Sequence, residues 1–361
     1  MLSKEKIRIR FSKLNSNLWF HFMFWNLALL FYVFIVGKNH IFKTYADALE
    51  INSPILLIAY LSVICSILFA FIDALFSDRI MRFFPIRLMV FFKSVFYFTS
   101  AFVIIIAAAA PSAEIYSSQS YRDIILELPA TNINLLRFLT YFYLSCFLNS
   151  FFKGFLRKIG GGNTQRFMLG LMNKPQEEER IFMFLDLKNS TTIAEKIGHK
   201  KFSHLVQDVF NDMAIVDNYK AEIYNYMGDG AIISWTVKDG IKNGNCLKAF
   251  FAFNSVLKNR TRYYNRKYNL EPKFKAGAHV GKVMVLQIGQ IRRDISYNGD
   301  TMNTAARIES QCNELRQQVL ISGDLQYLLK ENKNFRFKSV GEIQLKGKRK
   351  GVEIFAAKEK L

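Results

Sequence analysis

Four apolar stretches in the first 152 residues constrain this chain more than any other feature. They cover residues 18–36, 54–72, 88–110 and 133–152. Each is about 19 to 23 residues long, enough to cross ~30 Å of hydrocarbon as a helix. None has the polar face that a long helix packed on a water-soluble core would carry. The chain therefore reads as a four-span transmembrane domain over residues 1–152, a juxtamembrane linker over 153–179 and a soluble domain over 180–361.

Basic residues orient the spans. Lys4, Lys6, Arg8, Arg10 and Lys13 precede the first span, and Arg79, Arg82 and Arg87 lie in the second loop. Lys153, Arg157, Lys158 and Arg166 follow the last span, whereas loops 37–53 and 111–132 hold only Lys38, Lys43 and Arg122. The positive-inside rule predicts a multi-pass protein of the cytoplasmic (inner) membrane, with both termini and the soluble domain in the cytoplasm. Lys plus Arg is 49 against 29 Asp plus Glu, a net charge of +20. Membrane flanks that meet anionic lipid headgroups explain much of that excess. The expected partner is therefore membrane lipid, with no nucleic acid. Lys93 and Arg137 lie within or near span ends and are read as snorkelling to the interface. Four cysteines exclude a disulfide scaffold, and no pair has metal-ligand spacing.

After residue 175 the chain alternates strand and helix signals. Residues 181–186 read as a buried strand, and Ser190 and Thr191 as the cap of a helix continuing to about 219. Runs 221–227 and 231–235 flank a Gly228-Asp229-Gly230 hairpin turn. A long helix is expected at 245–268, strands at 274–280 and 283–287 with Gly281-Lys282 turning between them, and a helix at 301–312. The order strand, helix, strand, strand, helix, strand predicts a ferredoxin-like α+β fold. A right-handed crossover makes the first two strands parallel, with the hairpin strand between them and antiparallel to both. Asp186 and Asp229 then meet at one sheet edge. Paired carboxylates there can hold two divalent ions, Mg²⁺ or Mn²⁺, which activate an attacking hydroxyl and stabilise a leaving phosphate. Leu187-Lys188-Asn189-Ser190-Thr191 opens a helix whose free N–H groups suit a triphosphate.

These residues carry a family resemblance. Phe184-Leu185-Asp186-Leu187-Lys188-Asn189-Ser190-Thr191 resembles the first metal motif of class III adenylyl and guanylyl cyclases. Tyr226-Met227-Gly228-Asp229 resembles their second metal motif. Gly299-Asp300-Thr301-Met302-Asn303-Thr304-Ala305-Ala306-Arg307-Ile308-Glu309 resembles their transition-state helix, and Lys346-Gly347-Lys348 their triphosphate lysine loop. The four motifs stand in the family's order over residues 180–357. The resemblance implies a membrane-anchored nucleotidyl cyclase of bacterial type that turns ATP into 3′,5′-cyclic AMP and pyrophosphate. It implies that Asp186, Asp229 and the Leu187 carbonyl bind two metal ions. Asn189, Ser190, Thr191, Lys346 and Lys348 would hold the triphosphate, Asn303 would orient the ribose, and Arg307 would stabilise the transferring phosphoryl group. Because the family's site lies between two catalytic domains, a homodimer is implied.

The base-reading pair departs from the family. Adenylyl cyclases usually place Lys four residues before the second metal Asp, and here that position is Asn225. The second reader, usually Asp or Thr, is Ser296. An amide can donate to adenine N1 or accept from guanine N1–H. ATP is favoured, with GTP, or a catalytically inactive cyclase-like signalling partner, as alternatives. His199, His204 and His279 match no motif and are read as surface or packing residues.

Overall fold

The computed structural model describes residues 2–36, 54–75, 85–116, 133–159, 174–289, 294–344 and 351–360. It divides into two compact units, Met1–Ile159 and Gly160–Leu361.

The first unit is a bundle of helices α1 (Leu2–Val36), α2 (Pro54–Leu75), α3 (Ile86–Tyr116) and α4 (Ile133–Ile159). Its interior is aromatic: Trp25 and Phe142 lie 4.9 Å apart, and Phe69 stacks on Tyr97 at 4.4 Å. Its outward faces are also apolar, with Met23, Leu27, Phe34, Phe71 and Phe92 exposed. Among the described residues one window, Asn17–Phe34, is long and apolar enough to cross a membrane, and Ile58–Asp73 is a shorter apolar run. The helix expected to end before Pro111 continues through it to Tyr116.

One polar cluster interrupts that interior. Asp73 on α2 accepts from Lys93 Nζ at 2.5 Å and Tyr97 OH at 2.6 Å, both on α3. It also accepts from Lys153 on α4. His21 Nε2 on α1 lies 3.1 Å from the Asp73 carboxylate, and Asn149 Nδ2 on α4 lies 3.1 Å from His21 Nδ1. One carboxylate thus ties all four helices together. Lys93 does not snorkel: it is 3% exposed, because Asp73 offers it a carboxylate inside the bundle.

The second unit is a mixed sheet with helices on both faces. Its strands are β1 (Gln176–Leu187), β2 (Glu222–Met227), β3 (Gly230–Thr236), β4 (Phe274–Ile288), β5 (Asp294–Asn298), β6 (Val319–Ser322), β7 (Phe335–Ile343) and β8 (Val352–Glu359). Among the described residues the order is β2-β3-β1-β4-β6-β8-β7, with β5 paired to β4. β3 lies between β1 and β2 and is antiparallel to both, as the crossover argument requires. The helices are α5 (Ser190–Ile197), α6 (His199–Met213), α7 (Asn245–Asn259), α8 (Thr261–Tyr268), α9 (Asp300–Glu314) and α10 (Gly323–Leu329).

Residues alternate across β1 and β4, as the pleat demands. Ile181, Met183 and Leu185 of β1 join Ala276 and Ala278 of β4 in one core, with Val209 of α6 and Phe253 of α7. Phe182 of β1 and Val283 of β4 pack with Ala305 of α9 in another.

Four expectations need correction. β4 does not turn at Gly281-Lys282 but runs unbroken, pairing with β1 from Gln176↔Val285 to Leu187↔Phe274. Gly281 serves packing: a Cβ there would meet Thr301 Oγ1 of α9 at 2.6 Å. The helix expected over 190–219 breaks at Gly198, whose φ is +79°, and ends in a 3-10 turn, Ala214–Tyr219. The helix expected over 245–268 breaks at Arg260. In the expected linker, residues 153–159 complete α4 and residues 176–179 open β1.

Candidate active site

Asp186 is the next-to-last residue of β1, and Asp229 sits in the two-residue turn between β2 and β3. β3 pairs with β1 at Leu185↔Ala231, which brings the turn alongside Asp186. A Cβ at Gly230 would lie 3.6 Å from Asp186 Oδ1, so that oxygen faces the turn. Burial pushes the Asp186 carboxyl above its ordinary pKa; Lys275 opposes this and the nearby Asp229 carboxylate adds to it. Asp229 Oδ2 is buried without a hydrogen-bond partner. A buried orphan acceptor beside a second carboxylate is the donor set a hard divalent cation takes. Leu187 buries its side chain, leaving its carbonyl as the group available for a cation. Among the described residues no three His, Cys, Asp or Glu side chains form a metal-binding group, so the acidic donors amount to a pair. The pair fits magnesium or manganese, which complete their shell with water and phosphate oxygens.

The loop after β1 does not match the expected cap. Asn189, not Ser190, is the N-cap of α5; its φ is +58° and its side chain makes no capping hydrogen bond. Ile193 N–H is the first to bond back, to the Asn189 carbonyl. The N–H groups of Ser190 and Thr191, in the first turn, therefore have no helical partner. Lys346 and Lys348 lie outside the described residues.

Asn303 and Arg307 are one turn apart on α9, as their spacing predicts. Asn303 is exposed, and Arg307 is half-buried with Nη1 unpartnered. Glu309 on the same helix reaches Lys275 at 2.8 Å, and Lys275 reaches Asp186 Oδ2 at 3.1 Å. Residues two apart on a helix point roughly 200° apart. Arg307 therefore faces away from the side of α9 that meets the carboxylates. Within one chain the metal pair and the Asn303–Arg307 pair do not converge.

A family model, Adenylate and Guanylate cyclase catalytic domain, matches residues 172–358. The chain belongs to this family. Adenylate cyclase 2 of Rhizobium meliloti (strain 1021) is 34% identical over 182 residues, 50% of this chain and 50% of that protein. Photoactivated adenylate cyclase subunit beta of Euglena gracilis is 30% identical over 80 residues, 22% of this chain and 9% of that protein. The chain thus spans half the length of the first relative and a small part of the second. A solved bacterial light-regulated adenylyl cyclase superposes with a TM-score of 0.52 at 18% identity, over 63% of this chain and 66% of that one, a likeness of fold.

In this cyclase domain the two expected base readers lie on different strands. Asn225 is exposed on β2, beside a bulge in its pairing with β3. Ser296 is on β5, where its hydroxyl donates to Asn298 Oδ1 at 3.1 Å. β3, β1 and β4 lie between their strands in the sheet order, yet the rings next to the two residues, Tyr224 of β2 and Tyr297 of β5, meet at 5.0 Å. Sequence reasoning overlooked the partners of Asp186. Glu309 closed the transition-state motif without a role, and Lys275 was one residue of an expected strand. The signal was there in Lys275: a lone lysine between Phe274 and Ala276 in an apolar run.

Proposed function

We propose that this protein is a membrane-anchored adenylate cyclase, converting ATP to 3′,5′-cyclic AMP and pyrophosphate at sites shared by two copies of the chain. The observation that carries this reading is the Asp186–Asp229 pair at one sheet edge, with Asn303 and Arg307 turned away from it on α9. Such a division suits a two-fold dimer in which each site takes its carboxylates from one chain and its transition-state helix from the other. Two divalent ions on Asp186, Asp229 and the Leu187 carbonyl would supply Lewis-acid activation of the ribose hydroxyl and neutralise phosphate charge. The remaining work falls to the protein. The α5 N-terminus and Lys346 and Lys348 would hold the triphosphate, Asn303 would orient the ribose, and the Arg307 fork would meet charge growing on the α-phosphoryl oxygens. The apolar outward faces of the bundle support an anchor in lipid, since water-facing helices do not carry such surfaces.

The direct test incubates purified full-length protein with ATP or GTP and Mg²⁺ or Mn²⁺ and identifies the product. Cyclic AMP from ATP is expected. Cyclic GMP alone would transfer the reading to a guanylate cyclase, and no cyclic product would reduce the chain to an inactive relative.

Asn225 gives a second test. Asn225→Lys is expected to raise the ATP-to-GTP ratio of kcat/KM about tenfold, because an ammonium donates to adenine N1 and has nothing to offer guanine N1–H. An unchanged ratio would remove residue 225 from the base pocket.

A further inference from the structure

We infer that Lys275 is a built-in counter-ion of the metal site: it holds Asp186 Oδ2, leaves Oδ1 for the cation, and keeps the nucleotide-free site from binding divalent metal tightly. This rests on the metal reading of Asp186 and Asp229 given above.

Lys275 stands directly opposite Asp186 in the β1/β4 ladder. It is 6% exposed, and its Nζ bridges Asp186 Oδ2 at 3.1 Å and Glu309 Oε1 at 2.8 Å. A lysine is rarely buried so far unless paired, because its ammonium must shed water. Two carboxylates within ion-pair distance hold the ammonium in the site. Its strand is central, between β1 and β6, and Glu309 holds it from the side of α9.

The charge balance follows. Asp186, Asp229 and Glu309 bring three negative charges, and Lys275 returns one. The Asp186 carboxylate is also split by geometry, with Oδ2 on Lys275 and Oδ1 toward the Asp229 turn. Lys275 thus aims the metal ligand and repels the metal. By cancelling one negative charge Lys275 weakens the pull on a bare dication, whereas a cation that arrives with phosphate oxygens already on it depends less on the protein carboxylates.

The test uses the full chain in lipid nanodiscs without nucleotide, with Mn²⁺ as the probe and its free concentration read by electron paramagnetic resonance. Removing one positive charge beside a dication should tighten binding about tenfold in Lys275→Met. Lys275→Arg should bind like the parent protein. A purely structural lysine would lower the melting temperature without tightening Mn²⁺ binding, and equal or weaker affinity in Lys275→Met would overturn the inference. Should that variant fold poorly, Lys275→Gln keeps amide donors without the charge and carries the same expectation. Asp186→Ala separates the two readings: it should lose Mn²⁺ binding, and if it does not, the metal assignment itself fails.

Discussion

Asp186→Ala is expected to lower cyclic nucleotide production by about 10³-fold or more, because it removes one of the two carboxylates from ions that contribute several kcal/mol to the barrier. The loss should not come from unfolding. Burial raises the Asp186 pKa in the folded protein, so above that pKa its ionised form costs stability. Removing it at neutral pH relieves that cost, and Lys275 keeps Glu309 as a partner. The melting temperature of Asp186→Ala should therefore equal or exceed that of the parent at pH 7. Arg307→Ala should be as inactive, from the other side of the site. Co-expression of the two variants distinguishes a shared site from a site within one chain. Random pairing makes half the dimers mixed, each with one intact site of two, so roughly a quarter of parental activity should return. Recovery no greater than either variant alone, with dimer exchange confirmed, would end the shared-site mechanism. Near-normal activity in folded Asp186→Ala would end the metal assignment.

The residues that made this site legible in sequence are those whose role is local. Asp186 closes a strand, Gly228-Asp229 makes a two-residue hairpin, and Asn303 and Arg307 share a helix face, and short-range spacing encodes each of these. Topology then brought the two aspartates together, because a crossover and a hairpin leave β3 only one place to go. What stayed hidden depends on pairing across the fold. Gly281-Lys282 has the composition of a turn, but Thr301 of α9 needs the missing Cβ, and a long β1 holds β4 straight. Lys275 became a site residue only once the register set it opposite Asp186. The same holds in the bundle, where Lys93 had no visible partner because Asp73 lies 20 residues earlier, on another helix.

Asp73→Ala is expected to be among the most damaging single changes in the helical unit. It removes the carboxylate that Lys93 and Lys153 share and that Tyr97 OH and His21 also contact. The side chain of Lys93 is 4% exposed and that of Lys153 is 12% exposed, so neither ammonium regains much water where it sits. Breaking a buried pair from one side costs about 3–5 kcal/mol, mostly as the penalty of the charge left behind. Thermal unfolding in nanodiscs should show that loss as a markedly lower melting temperature. Asp73→Asn should fall between, since an amide oxygen still accepts from Tyr97 but no longer balances the lysines. Replacing the cluster as a whole reverses the sign: Asp73→Leu with Lys93→Met and Lys153→Met leaves no buried charge, and such swaps are neutral or stabilising by about 1–4 kcal/mol. Stability of the triple variant at or above the parent, with Asp73→Ala far below, would identify charge pairing as what the cluster contributes. A cost of under about 1 kcal/mol for Asp73→Ala would mean that the ammonium groups reach water or lipid phosphate once released, and that the bundle does not depend on this carboxylate.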